Sequence, residues 1–141
     1  MIILDTDVIS ELMRPAPDAK VGAWLAGRDP LNVTTTTITV AEIQRSIHRL
    51  PAGKRRKNLE RRFALFIDEA FRDRLLPFDR DAAFACGEVA AARERKGLHA
   101  DPVDMMIAAI AKVSAATLAT LDIGGFEACG VPLLDSWTAK S

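Results

Sequence analysis

Short apolar runs of strand length alternate with amphipathic helical stretches along the whole chain, and this alternation restricts the fold more than any other feature. Ile2 to Leu4 reads as a short buried strand. Asp7 can cap a brief helix through Met13, which Pro15 and Pro17 stop. A second helix turns Val21, Trp24 and Leu25 inward and closes near Gly27. Asn32 to Thr37 is rich in β-branched residues and predicts a strand. From Thr39 a helix follows, with Val40, Ile43, Ile47 and Leu50 on one face. After Pro51-Ala52-Gly53 a basic helix runs from Lys54 to about Arg72, striped by Leu59, Phe63, Phe66, Ile67 and Ala70. Leu75 to Phe78 predicts another strand. Asp79 or Asp81 caps a long helix to Lys96 that Gly97 closes. Asp101 opens a helix through about Ser114, and Thr117 to Leu121 and Val131 to Leu134 predict the final strands. Helices of this length between strands imply an α/β fold: three α/β/α layers around a mainly parallel sheet.

At 141 residues the expectation is a single domain, 1–141, large enough to bury roughly two-thirds of its unfolded surface. With 49% hydrophobic and 27% charged residues, it is neither disordered nor low-complexity. Basic and acidic residues number 19 each, so net charge selects no partner and only local clusters can. No apolar run approaches the roughly 20 residues of a membrane span. Acids interrupt the N-terminus too early for a signal peptide. Cys86 and Cys129 lack CxxC spacing and read as reduced thiols of a cytoplasmic protein. His48 and His99 lie too far apart for a local metal motif, which argues against zinc.

Within this frame the acids stand out. Asp5 follows the first strand directly, where it is either a turn residue or a functional one. Glu42, in ITVAEIQRSI, lies off the most buried line of its helix, a place also suited to a solvated side chain. Asp104, in ADPVDMMIAAIA, fits a capping arrangement with Asp101 and Pro102. Its helix is nonetheless apolar nearly all round and therefore buried, and a carboxylate on its first turn must be paired or bind a metal. Asp122 closes TLATL ahead of Gly124-Gly125, a common setting for a turn aspartate. Taken together, two acids at strand ends and two near helix starts can meet at the carboxyl rim of one sheet, where α/β folds bind ligands. Carboxylates at close range repel by up to several kcal/mol per pair at an effective dielectric of about 20. A cation would hold them ionised. All-oxygen ligands select a hard ion, Mg²⁺ or Mn²⁺, of the kind that activates water for phosphodiester hydrolysis.

ILDTDVISEL, TVAEI, DPVDMMIAAIA and TLATLDIGGF, in this order and spacing, resemble the PIN domain, in particular the VapC toxins of bacterial toxin–antitoxin pairs and their FitB-like relatives. The closing PLLDSW resembles the family's last strand and its trailing tryptophan. The resemblance places the family's acids on Asp5, Glu42, Asp104 and Asp122, as metal ligands and catalytic groups, with Thr6 and Thr120 as supporting hydroxyls. It implies a Mg²⁺- or Mn²⁺-dependent endoribonuclease that cuts RNA with metal-activated water and leaves a 5′-phosphate on the downstream fragment. It further implies a homodimer and a small VapB-like antitoxin, whose tail inhibits by inserting an arginine among the carboxylates. Operator DNA would be contacted only through that antitoxin. Two positions depart from the family pattern: Asp7 stands where Asn is usual, and Leu121 replaces a frequent Arg.

GKRRKNLERR is the densest basic cluster. Lys54, Arg55, Arg56 and Lys57 crowd a helix start against the macrodipole, where helix stability does not explain them; they form either a solvated helix face or a surface that steers RNA backbone. Arg93, Arg95 and Lys96 suit a helix C-terminus and read as structural. One alternative is a haloacid-dehalogenase-type Mg²⁺ phosphatase with Asp5 as nucleophile and Asp7 as acid, which leaves Glu42 and Asp104 unexplained. Another is an inactive PIN fold that only binds partners.

Overall fold

The computed structural model describes residues 1–137. Four strands, β1 (Ile2–Leu4), β2 (Val33–Thr34), β3 (Thr117–Thr120) and β4 (Leu133–Asp135), form one sheet in the order β2-β1-β3-β4. All pairings are parallel, with Ile3 opposite Thr34 and Leu118, and Ala119 opposite Leu134. Six helices connect them: α1 (Thr6–Leu12), α2 (Ala19–Ala26), α3 (Thr37–His48), α4 (Lys54–Ala70), α5 (Arg80–Arg95) and α6 (Pro102–Val113).

Side chains alternate across a strand, so each central strand feeds two cores. Ile3 and Leu118 pack with Val89, Met105, Ile107 and Ile110 of α5 and α6 on one face. Leu4 and Ala119 pack on the other with Val8, Ile9, Trp24, Ile43, Ile47 and Phe63 of α1 to α4. The result is the expected α/β/α sandwich. Among the described residues no helix is long and apolar enough to cross a membrane.

Helix starts follow the capping residues. Asp5, rather than Asp7, caps α1, and Asp79, rather than Asp81, caps α5 by accepting from the Ala82 N–H at 3.0 Å. Asp101 caps α6 through the Asp104 N–H.

The strands are shorter and fewer than the sequence predicts. The stretch from Asn32 to Thr37 supplies strand only at Val33–Thr34, because its threonine hydroxyls take other partners. Thr35 Oγ1 donates to the Leu4 carbonyl at 2.7 Å, and Thr34 Oγ1 to the Arg74 carbonyl at 2.8 Å. Thr36 accepts from the Thr39 N–H and starts α3 two residues before the expected Thr39. Leu75 to Phe78 makes a single parallel bridge, Leu76 to Thr36, and no strand. Pro77 has no N–H to extend that ladder. β3 stops at Thr120 because the Leu121 N–H is taken by the Asp7 carboxylate at 3.1 to 3.2 Å. α4 ends at Ala70, short of Arg72, whose φ of 42° is left-handed. The last strand begins at Leu133, two residues later than Val131.

A candidate metal centre at the carboxyl edge of the sheet

β1 and β3 are neighbours, so the residues leaving their carboxyl ends emerge side by side. The Asp5 N–H donates to the Ala119 carbonyl at 2.9 Å, one last rung beyond β1. Its side chain is 5% exposed. Oδ1 accepts from the Thr6 N–H at 2.7 Å, and Oδ2 from the Thr120 hydroxyl at 2.9 Å. That hydroxyl also lies 3.3 Å from Asp7 Oδ2 and accepts from the Asp122 N–H at 3.0 Å. On the other side, Thr6 Oγ1 donates to Glu42 Oε1 at 2.5 Å and lies 3.0 Å from the Thr39 hydroxyl. Both predicted hydroxyls thus brace predicted acids: Thr120 ties β3 to Asp5, and Thr6 ties α1 to Glu42 on α3.

Asp5, Asp7, Glu42 and Asp104 line one cleft of about 570 Å³. Asp122 is exposed and sits at its margin against Gly125, whose N–H donates to Asp122 Oδ1 at 3.3 Å. A Cβ at position 125 would lie 2.7 Å from Asp122 Oδ2 and 3.4 Å from Asp104 Oδ2. A side chain there would push Asp122 aside, while its contact with Asp104 would be an ordinary one.

The crowding has an electrostatic cost. Burial first, and then the Asp7 charge, push the Asp5 carboxyl up to about 8, against the hydrogen bonds from Thr120 and Thr6. Asp104 is pushed up to about 6 by burial and by the charges of Asp101, Glu42, Asp122 and Asp7. Asp7 is raised as well, chiefly by burial. The acids from β1, α1, α3, α6 and the loop after β3 therefore sense one another through a shared space.

Does this set suit a metal? Among the described residues, no three His, Cys, Asp or Glu side chains form a preformed cage. Mg²⁺ does not require one, since it keeps several waters and is held by one or two carboxylates. The donors are all oxygen, and each upward-shifted acid marks a charge that a cation would stabilise. The residues fit a hard divalent ion.

Glu11 and Arg14 also line the cleft and are missed by sequence reasoning, although their three-residue separation, from the end of α1 into the turn after it, is visible. That reasoning treats Asp7 as a departure from pattern, whereas its carboxylate takes the Leu121 N–H and helps end β3. The basic run divides. Arg55 lines a second groove beside the cleft, together with Arg14 and Arg62. Arg56 pairs with Glu60 at 3.2 Å and lies 3.1 Å from His48 Nδ1, while Lys54 and Lys57 are exposed.

A parallel α/β sandwich with an acid-lined cleft at the carboxyl edge of its central strands defines a class of protein, and comparison with known proteins names it. The family model for the PIN domain matches residues 2–130, and the chain belongs to that family. It is 38% identical to the plasmid stability protein StbB of Pseudomonas syringae pv. tomato, over 99% of this chain and 100% of that protein. It is 36% identical to the VapC ribonuclease Y4jK of Sinorhizobium fredii, over 97% and 98%. Toxin FitB of Neisseria gonorrhoeae is 37% identical over 97% and 99%. Among solved structures, a chain of FitAB bound to an IR36 DNA fragment matches with a TM-score of 0.92, at 36% identity over 100% of this chain and 99% of that one.

Proposed function

We propose that this protein is a divalent-metal-dependent endoribonuclease and the toxin of a VapBC-type toxin–antitoxin pair. The observation that carries this is the gathering of Asp5, Asp7, Glu42 and Asp104 around one cleft, with Asp5 and Asp104 displaced well above ordinary carboxylate behaviour. The kinship with a protein named a VapC ribonuclease and another named a toxin supports it.

Asp5, Glu42, Asp104 and Asp122 would hold one or two ions. A bound Mg²⁺ or Mn²⁺ supplies water of lowered pKa and steadies charge on the leaving oxygen. Asp5, fixed at both oxygens, and Glu42, fixed by Thr6, provide rigid donors. Asp104 and Asp122 both lie beside Gly125, in the loop after β3. With water rather than the ribose 2′-OH as nucleophile and the O3′–phosphorus bond the one that breaks, the phosphate would stay on the downstream fragment and the upstream one would end in a 3′-hydroxyl. Arg55, with Lys54, Arg56 and Lys57 behind it, would attract the RNA backbone.

A small VapB-like antitoxin is the expected partner, holding the toxin in check and carrying any contact with operator DNA. A cytoplasmic homodimer is the expected form. The phosphatase alternative leaves Glu42 and Asp104 without a task although both line the cleft, and an inert binding module leaves all the acids without one.

Purified protein should cut RNA with Mn²⁺, stop with EDTA, and lose at least about a hundredfold in kcat/KM on Asp104→Asn, a loss of roughly 2.7 kcal/mol of transition-state stabilisation. Equal cutting by wild type and Asp104→Asn, with both folded by circular dichroism, would overturn the assignment.

A further inference from the structure

Resting on that reading, we infer that Arg14 is the residue that grips an RNA phosphate at the mouth of the cleft, held ready by Glu11. An acidic cleft presents a problem to a polyanionic substrate, because even with a divalent ion in place the surrounding carboxylates repel the phosphates next to the cut. Among the described residues lining this cleft, Arg14 is the sole cation. It follows the end of α1, at the junction where the cleft meets the groove lined by Arg55 and Arg62; Ser10 and Arg14 are common to both walls.

Its side chain is held in place. Arg14 Nη1 donates to Glu11 Oε1 at 3.2 Å and lies 3.5 Å from Oε2. Glu11 is 6% exposed, and its Oε2 also accepts from the Asp18 N–H at 3.0 Å, which fastens the turn into α2. An exposed pair three residues apart contributes little to stability. Here one partner is buried and doubly bound, so the geometry acts on the other. Among the described residues the bonds of Arg14 engage Nη1 alone, which leaves Nε and Nη2 for a ligand. With 65% of the side chain in solvent, the fork is open to a phosphate, which it matches in shape.

The test is the salt dependence of cleavage. Initial rates on a single-stranded oligoribonucleotide are measured with Mn²⁺ over a KCl series for wild type, Arg14→Gln, Arg14→Lys and the surface control Lys20→Gln. Arg14→Gln should raise KM roughly threefold to tenfold, the scale of one partly exposed charged hydrogen bond, with kcat within about twofold. The slope of log kcat/KM against log salt should become shallower by about 0.7, as expected for one lost single-strand phosphate contact. Arg14→Lys should restore the slope, Mn²⁺ affinity should match wild type throughout, and Arg14→Gln should melt slightly lower because buried Glu11 loses its charged partner. An unchanged KM and slope in a cutting enzyme would overturn the role of Arg14 alone. So would a raised KM with an unaltered slope and a lowered melting temperature, the mark of a purely structural residue. A wild type that neither binds nor cuts RNA would overturn the ribonuclease reading, and this assignment with it.

Discussion

Thr120 has one hydroxyl proton and two carboxylates, Asp5 and Asp7, within reach of it. That shared bond favours the ionised forms, yet burial and the nearness of the two charges outweigh it, so the pair holds a proton at a pH where an ordinary aspartate would not. The consequence for stability follows from sign. Asp5 in the folded protein titrates at about 8, above its unfolded value of 3.8, so the folded state binds the proton more tightly. The stability this confers is complete below about pH 4 and is lost as pH rises through the folded value. Asp104, at about 6, adds to the loss over the lower part of the same window. The metal-free protein should therefore melt at a lower temperature at pH 8 than at pH 6, by differential scanning fluorimetry. Asp5→Asn should flatten that dependence, and Mn²⁺ should reverse most of the loss at pH 8, because ionised carboxylates bind it. A melting temperature that rises over this range without metal would contradict the account. Legibility at this scale was uneven. Asp104 was readable because an apolar helix leaves a first-turn acid little else to do, and Asp5 because it abuts a buried strand. Glu11 and Arg14 look like any surface pair; only the burial of Glu11, a tertiary fact, sets them apart.

Helices were legible as elements because their stripes repeat over several turns, whereas strands of two to four residues carry too little pattern. Between Thr34 and Thr36 the β-branched side chains predicted more sheet than exists, since hydroxyls bonded to carbonyls and a helix cap outweighed strand propensity. Arg93 shows the converse. Sequence position marked it as a favourable charge at the end of α5, and its actual work is larger. It is 5% exposed and donates to the carbonyls of His99, Gly124 and Glu127 at 2.6 to 3.0 Å. It thereby joins the lead into α6, which carries Asp104, to the loop that carries Asp122. Arg93→Met should lower unfolding free energy by about 1–3 kcal/mol, because the charge-assisted hydrogen bonds of a buried guanidinium to three carbonyls are lost. Urea denaturation followed by circular dichroism reads this directly, and a loss under about 0.5 kcal/mol would show that the loops hold without it.

The two cores share the sheet but little else, one built on α5 and α6 and the other on α1 to α4. Because Ile3 and Leu4 belong to opposite cores while adjacent in one strand, neither core can come apart without disturbing the other. Thermal unfolding should accordingly be one transition, with far-ultraviolet circular dichroism and tryptophan fluorescence coinciding. Trp24 and Trp137 both report on the second core, so a separate earlier loss of helix signal would reveal independent halves. The same wiring has an outcome during synthesis. Asp5 finds its Thr120 partner 115 positions further along. A growing polypeptide on the ribosome thus carries its first acid from the outset but has no assembled centre until nearly all of it has been made. On the ribonuclease reading, products of a premature stop ahead of β3 should cut no RNA.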